Sequence, residues 1–214
     1  LNLVLGHLEL LDRDPNAVGQ GGRLRTVREA SRALVDLIND ILDVSRMESG
    51  QMTIERIPFD LAQIAAQVVA MFEPAARAKG LRLSFKPHSG LAQSYAGDPT
   101  RIRQVLVNLV GNAVKFTEAG EVEITATPGR GLAGGTGVQL RVRDTGIGMT
   151  TEQAARVFTL YAQTDGSISR RYGGTGLGLP ISKKLVEMMD GTLSVACSVG
   201  RGSVFSVAVP LQAC

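Results

Sequence analysis

Three groups of residues in this 214-residue chain have types and spacings that could do chemistry. Asn108 and Asn112 are four residues apart, so on a helix they share a face, and Lys115, three further on, remains adjacent. Two amides and an ammonium in a row could offer an Asn carbonyl oxygen to Mg²⁺, which prefers oxygen and shares phosphate oxygens, and a cation to phosphate charge. The second group is Asp144-Thr145-Gly146-Ile147-Gly148-Met149, directly after a strand pattern ending near Val142. Its carboxylate accepts hydrogen bonds only, which suits an exocyclic amino group, and glycines let the backbone approach a flat ring and turn away. The third is Gly173-Gly174-Thr175-Gly176-Leu177-Gly178-Leu179, which opens a helical pattern. Backbone N–H groups unobstructed by side chains at a helix start form an anion site.

Each group alone also admits a plainer account: the polar side of an amphipathic helix, a strand-to-loop turn, and a glycine-rich linker. Other nucleotide signatures are missing. None of the five lysines is followed by Ser or Thr, so there is no P-loop, and neither Gly146-Ile147-Gly148 nor Gly176-Leu177-Gly178 continues as Gly-x-Gly-x-x-Gly. With only His7 and His88, both expected on surfaces or helix faces, a histidine-based zinc site is disfavoured.

The elements that must position these groups follow from periodicity. Leu1, Val4, Leu5, Leu8 and Leu11 form an apolar helical stripe, and turn chemistry fills 12–22. Leu24, Val27, Leu34, Ile38 and Ile41 fall on a and d heptad positions of a second helix ending at Glu48-Ser49-Gly50. Two helices cannot bury so wide a face between themselves. A second copy completing a four-helix bundle would cover it, as would the rest of the same chain.

Residues 51–59 read as a short strand and a linker ending at proline. Beyond it, Asp60 caps a helix to about Lys79, 81–85 is a strand, and Asp98-Pro99 opens the helix carrying Asn108. Strands at 122–127 and 138–142, a long polar loop over 149–173, a helix over 177–189 and closing strands at 193–197 and 204–209 complete the pattern. The expected fold class is therefore α+β, a helical hairpin (1–50) followed by an α/β sandwich (60–214).

Composition bounds the function further. Two cysteines cannot build a disulfide framework, and no apolar run approaches the roughly 18 residues of a membrane span. Aromatics are only 4% and no basic run reaches five residues, so nucleic-acid binding is not expected. Glycine is the compositional excess, and twelve of the 25 lie between Gly129 and Gly178.

Order and spacing carry more than any single group. Asn-x-x-x-Asn, Asp-x-Gly-x-Gly, a polar segment and Gly-Thr-Gly-Leu-Gly resemble, in that order, the N, G1, F and G2 boxes of sensor histidine kinases. These are members of the GHKL ATPase superfamily. Phe158-Thr159-Leu160-Tyr161-Ala162-Gln163 is similar to the F box and Arg170-Arg171-Tyr172-Gly173-Gly174 to the segment before G2. Residues 1–50 resemble the family's dimerisation and histidine-phosphotransfer hairpin, and the whole resembles the bacterial hybrid type.

The resemblance implies that ATP and Mg²⁺ bind here. By it, Asn112 coordinates Mg²⁺, while Asn108 and Lys115 approach the triphosphate. Asp144 takes the adenine amino group in a pocket shaped by Gly146 and Gly148, with Phe116, Met149 and Tyr161 around the nucleotide. Gly174, Thr175, Gly176, Leu177 and Gly178 present backbone to the phosphates, and Arg170 or Arg171 contacts the γ-phosphate. Residues 149–173 form a lid. The superfamily's hydrolases, such as DNA gyrase and MutL, place a Glu where Asn108 stands, so slow hydrolysis and a side-chain acceptor are expected.

Leu1-Asn2 resembles the end of a box reading His-Glu-x-Arg-Thr-Pro-Leu-Asn, which places the phosphoacceptor histidine about five residues before Leu1. His7, some three turns beyond it, is not that acceptor, so residues 1–214 by themselves are expected to bind ATP·Mg²⁺ without autophosphorylating. The implied partners are a second copy through residues 1–50 and the receiver domain of a response regulator. The implied place is the cytoplasm, with any membrane attachment upstream. A nucleotide-binding scaffold that signals by conformation is the competing reading, and a GHKL hydrolase a third.

Overall fold

The structure is a computed structural model and describes residues 21–130, 136–159 and 176–214. The helix expected at the start of the chain lies outside them. The chain divides into two compact units at Met52/Thr53.

In the first unit, α1 (Gly21–Glu48) is a 28-residue helix. It ends as expected: Ser49 donates its N–H to Ser45 O at 3.0 Å, and Gly50 takes the left-handed conformation at φ +66°. Leu34, Ile38, Ile41 and Leu42 are 42–51% exposed along one side of α1.

The second unit begins with β1 (Ile57–Phe59), α2 (Leu61–Ala78), β2 (Arg82–Pro87), β3 (Tyr95–Gly97) and α3 (Pro99–Phe116). It continues through β4 (Glu121–Arg130), β5 (Thr136–Asp144), α4 (Thr151–Arg156), α5 (Gly178–Met188), β6 (Thr192–Ser198), β7 (Gly202–Val209) and β8 (Gln212–Ala213). A five-stranded sheet runs in the order β2-β4-β5-β7-β6, parallel at β2/β4 and antiparallel elsewhere.

Period-two alternation makes this sheet one-sided. Val122, Ile124, Ala126, Val138, Leu140, Val142, Phe205, Val207 and Val209 are all buried, and the register sets them opposite one another: Ile124 by Val142, Leu140 by Val207. Helices α2, α3 and α5 pack on the sheet, with Leu61, Ile64, Val68, Leu106, Leu109, Leu185 and Val186 among the buried side chains. Alternate positions of the strands carry charge instead. Glu121 pairs with both Arg82 (2.9 Å) and Arg143 (3.0 Å), and Lys86 pairs with Glu123. The expected α/β sandwich is thus a two-layer one.

Four details differ from the sequence expectation. Only Ile57–Phe59 of the 51–59 segment forms a strand, and it pairs with β3, which in turn pairs with β8. The two- and three-residue strands β8 and β3 are too short to show a period. The polar loop over 149–173 contains α4, started by a reciprocal capping box between Thr150 and Gln153 rather than by an apolar stripe. Finally, β5 runs two residues past Val142, so Asp144 is a strand residue. Among the described residues no helix is long and apolar enough to cross a membrane.

Candidate nucleotide site

The amide row sits on α3. Asp98 caps its start by accepting from Arg101 N at 3.0 Å, and Pro99 occupies the first turn. Ile102, Leu106, Leu109 and Ala113 bury one face, leaving Asn108, Asn112 and Lys115 half-buried at its margin. Asn112 Nδ2 donates to Asn108 Oδ1 at 3.2 Å, and Asn108 Nδ2 donates to Ser182 Oγ of α5 at 2.8 Å. With both amide nitrogens turned this way, Asn112 Oδ1 accepts no hydrogen bond from the described residues. A carbonyl oxygen so placed fits a hard cation. Lys115 Nζ stands 4.9 Å from the centroid of the Phe116 ring, and burial pushes the Lys115 pKa below its ordinary value.

Asp144 lies at the end of β5, on the same face as Val138, Leu140 and Val142 because all share one parity. This puts a carboxylate on the core side of the sheet at 6% exposure. Its Oδ1 accepts from Gly146 N at 2.8 Å and Ser203 N at 3.2 Å. Burial pushes the Asp144 pKa up, while hydrogen bonds from Gly146 and Ser203 and the charge of Arg143 pull it back.

The backbone after Asp144 is wedged between two neighbours. On one side, Ile147 N donates to Phe116 O at 3.3 Å, and a Cβ on Gly146 would stand 2.5 Å from that oxygen. On the other, Gly200 N donates to Ile147 O at 2.8 Å. Gly148 has φ +65°, and a Cβ there would come within 2.0 Å of Ser198 O. Neither glycine tolerates a side chain, one for space and the other for space and conformation.

The third group reaches Asn108 directly. Leu177 is 2% exposed and anchors the start of α5 between Gly176, at φ +71°, and Gly178. A Cβ on Gly178 would lie 2.3 Å from Asn108 Oδ1, so only glycine lets α5 approach the amide row this closely. Gly178 and Ser182 are one turn apart and both face Asn108.

The structure therefore gathers Asn108, Asn112, Ser182 and Gly178 at the α3/α5 contact. Phe116, Asp144, Gly146 and Gly148 gather at the end of α3. Met149 follows, half-buried, and Phe158 packs edge-on against Phe205 at 6.3 Å. Tyr161, Arg170, Arg171, Gly174 and Thr175 lie outside the described residues. Sequence reasoning gave no site role to Ser182, Ser203 or Lys79. Ser182 had a signal, its four-residue spacing from Gly178; Ser203 had none, because its role depends on the β5/β7 pairing. Lys79 Nζ donates to the carbonyls of Val114 (2.7 Å), Lys115 (2.9 Å) and Thr117 (3.3 Å), closing the C-terminus of α3.

Two helix-borne amides, a desolvated ammonium, a buried carboxylate and a glycine-opened helix start thus stand together in the second unit of the chain. Residues 97–213 match the family of histidine kinase-, DNA gyrase B- and HSP90-like ATPases, and residues 1–50 match the His Kinase A phospho-acceptor domain. The chain belongs to that ATPase family, with the two modules of a histidine kinase. It is 41% identical to the signal transduction histidine-protein kinase BarA of Escherichia coli K12, over 96% of this chain and 22% of BarA. To the sensor protein GacS of Pseudomonas syringae pv. syringae it is 37% identical, over 99% of this chain and 23% of GacS. The crystal structure of full-length ShkA in complex with AMPPNP superimposes with a TM-score of 0.81 at 34% identity, covering 99% of this chain and 43% of ShkA. The chain thus spans under a quarter of the length of BarA and GacS.

Proposed function

We propose that this chain is the ATP-dependent core of a protein-histidine kinase in a two-component system. Its γ-phosphate would pass to a histidine and from there to a receiver-domain aspartate. The observation that carries this reading is the hydrogen-bonded row Asn112–Asn108–Ser182 facing the glycine-opened start of α5. It presents an amide oxygen and the Lys115 ammonium on one side and helix N–H groups on the other, which suits a triphosphate. The AMPPNP in the ShkA complex supports a nucleotide of this kind.

In this reading Asp144 accepts from the adenine amino group, and its desolvated carboxylate rejects rings that present an acceptor there. Gly146 and Gly148 allow the ring to lie against the backbone, with Phe116, Met149 and Tyr161 beside it. Asn112 holds Mg²⁺, which would supply charge neutralisation on the phosphates. Lys115, the backbone of residues 174–178 and Arg170 or Arg171 neutralise the rest, and catalysis is mainly positioning. Asn108 is an amide and cannot take a proton from water, which favours a side-chain acceptor over hydrolysis. Residues 1–50 form half of a dimer bundle, 51–59 join it to the catalytic part over 60–214, and the reaction belongs in the cytoplasm.

The test is phosphotransfer. Given Mg²⁺ and ATP labelled on the γ-phosphate, the protein is expected to label a histidine on an acceptor hairpin, with an acid-labile, base-stable bond. Asn112→Asp and Asp144→Ala should abolish it. Nucleotide binding without any transfer to a competent acceptor would contradict the kinase reading.

A further inference from the structure

Ser182 is 1% exposed, on the face of α5 that meets α3. A hydroxyl buried this completely must be hydrogen-bonded or cost stability, and its bond is to the Asn108 amide, 2.8 Å away. Asn108 has one nitrogen and one oxygen to place. With the nitrogen on Ser182, the oxygen takes the Asn112 nitrogen, and the Asn112 oxygen is left facing away from the pair. The two amides are thus coupled: turning one forces the other to turn or to lose its bond.

Resting on the reading of this site as one for Mg·ATP, we propose that Ser182 is a positioning residue that anchors the Asn108 amide and thereby keeps the Asn112 oxygen available to the cation. Gly178, one turn earlier, holds the same amide by close approach, its Cβ position lying 2.3 Å from Asn108 Oδ1. Contact alone confines the amide plane but does not distinguish its nitrogen from its oxygen, which needs a hydrogen-bonding partner. Removing the Ser182 oxygen frees both amides to turn by half a revolution, which sets an N–H₂ where the cation needs an oxygen.

The test is binding, with a fluorescent ATP analogue titrated in EDTA and then across a Mg²⁺ series. The variants are Ser182→Ala, Ser182→Cys, which keeps the volume but offers only a weak sulfur acceptor, and Ser182→Thr, which restores the hydroxyl. In Ser182→Ala the Mg²⁺ midpoint is expected to rise roughly tenfold, while affinity in EDTA stays within about twofold of wild type. Ser182→Cys should shift the same way and Ser182→Thr should return the midpoint toward wild type. Equal weakening with and without Mg²⁺ would mark a purely structural role and overturn the proposal, as would an unshifted midpoint in folded Ser182→Ala and Ser182→Cys. A wild-type protein that binds no nucleotide at any Mg²⁺ concentration would sink the ATP-site reading itself. A wild type that binds, with variants indistinguishable from it, sinks only the role of Ser182.

Discussion

Gly146 and Phe116 meet backbone to backbone: a Cβ on Gly146 would stand 2.5 Å from the Phe116 carbonyl oxygen and 2.9 Å from Asp144 Oδ1. The end of the amide-bearing helix and the loop after the buried carboxylate therefore share one contact, and a methyl group there must part them. Gly146→Ala is expected to weaken nucleotide binding at least about tenfold, since overpacking of this kind costs about 1–3 kcal/mol. Isothermal titration against Gly200→Ala, where nothing lies within 4 Å of the added carbon but the backbone is left-handed at φ +73°, separates the steric clash at Gly146 from the conformational strain of replacing a loop glycine.

Asp144 gives a pH dependence with a definite sign. Burial raises its pKa above the ordinary 3.8, so the folded protein holds this proton more tightly than the unfolded chain does. The ionised carboxylate then costs stability at pH values above its folded pKa, and the cost vanishes below the unfolded value. Asp144→Asn keeps an oxygen to accept from Gly146 and Ser203 but carries no charge. Its melting temperature at pH 7 is expected to equal or exceed that of wild type, with the difference closing in acid. Nucleotide affinity runs the other way: it should fall in wild type as pH drops through the raised pKa, and be low throughout in the variant. A variant that melts clearly lower at pH 7 would contradict this account.

Lys79 closes the end of α3 with three carbonyl contacts. Lys79→Met removes the cation while keeping most of the stem, and should lower unfolding stability by about 1–3 kcal/mol. Lys79→Arg should recover part of it. Chemical denaturation at fixed ionic strength measures both.

The exposed side chains Leu34, Ile38, Ile41 and Leu42 on α1 suit a second copy of the chain. Ile38→Glu combined with Ile41→Glu is expected to convert a dimer to a monomer in light scattering while leaving nucleotide affinity within about twofold, because the second unit is compact by itself. A wild-type monomer at micromolar concentration would refute the bundle.

The long elements were legible because they carry their own period and punctuation. Asp98-Pro99 announces α3, Asp60 and Gly80 bracket α2, and the alternation over 138–142 fixes which face of β5 is buried, whereas the extension of β5 that carries Asp144 to the core side was seen only in the structure. Asn108 and Asn112 could be placed on one face from spacing alone, and their order relative to Asp144 and the glycine box pointed to the family. Helical and strand periodicity are local properties, so sequence by itself determined these. Contacts between segments far apart in the chain are not local. That Ser182 would meet Asn108 across 74 positions, that Ser203 would cap Asp144 across 59, and that Lys79 would close a helix ending 37 residues later were decided only by tertiary packing. Each depends on which strands pair and how closely two helices approach, and those distances are set by the collective fit of the core rather than by any one residue's preference.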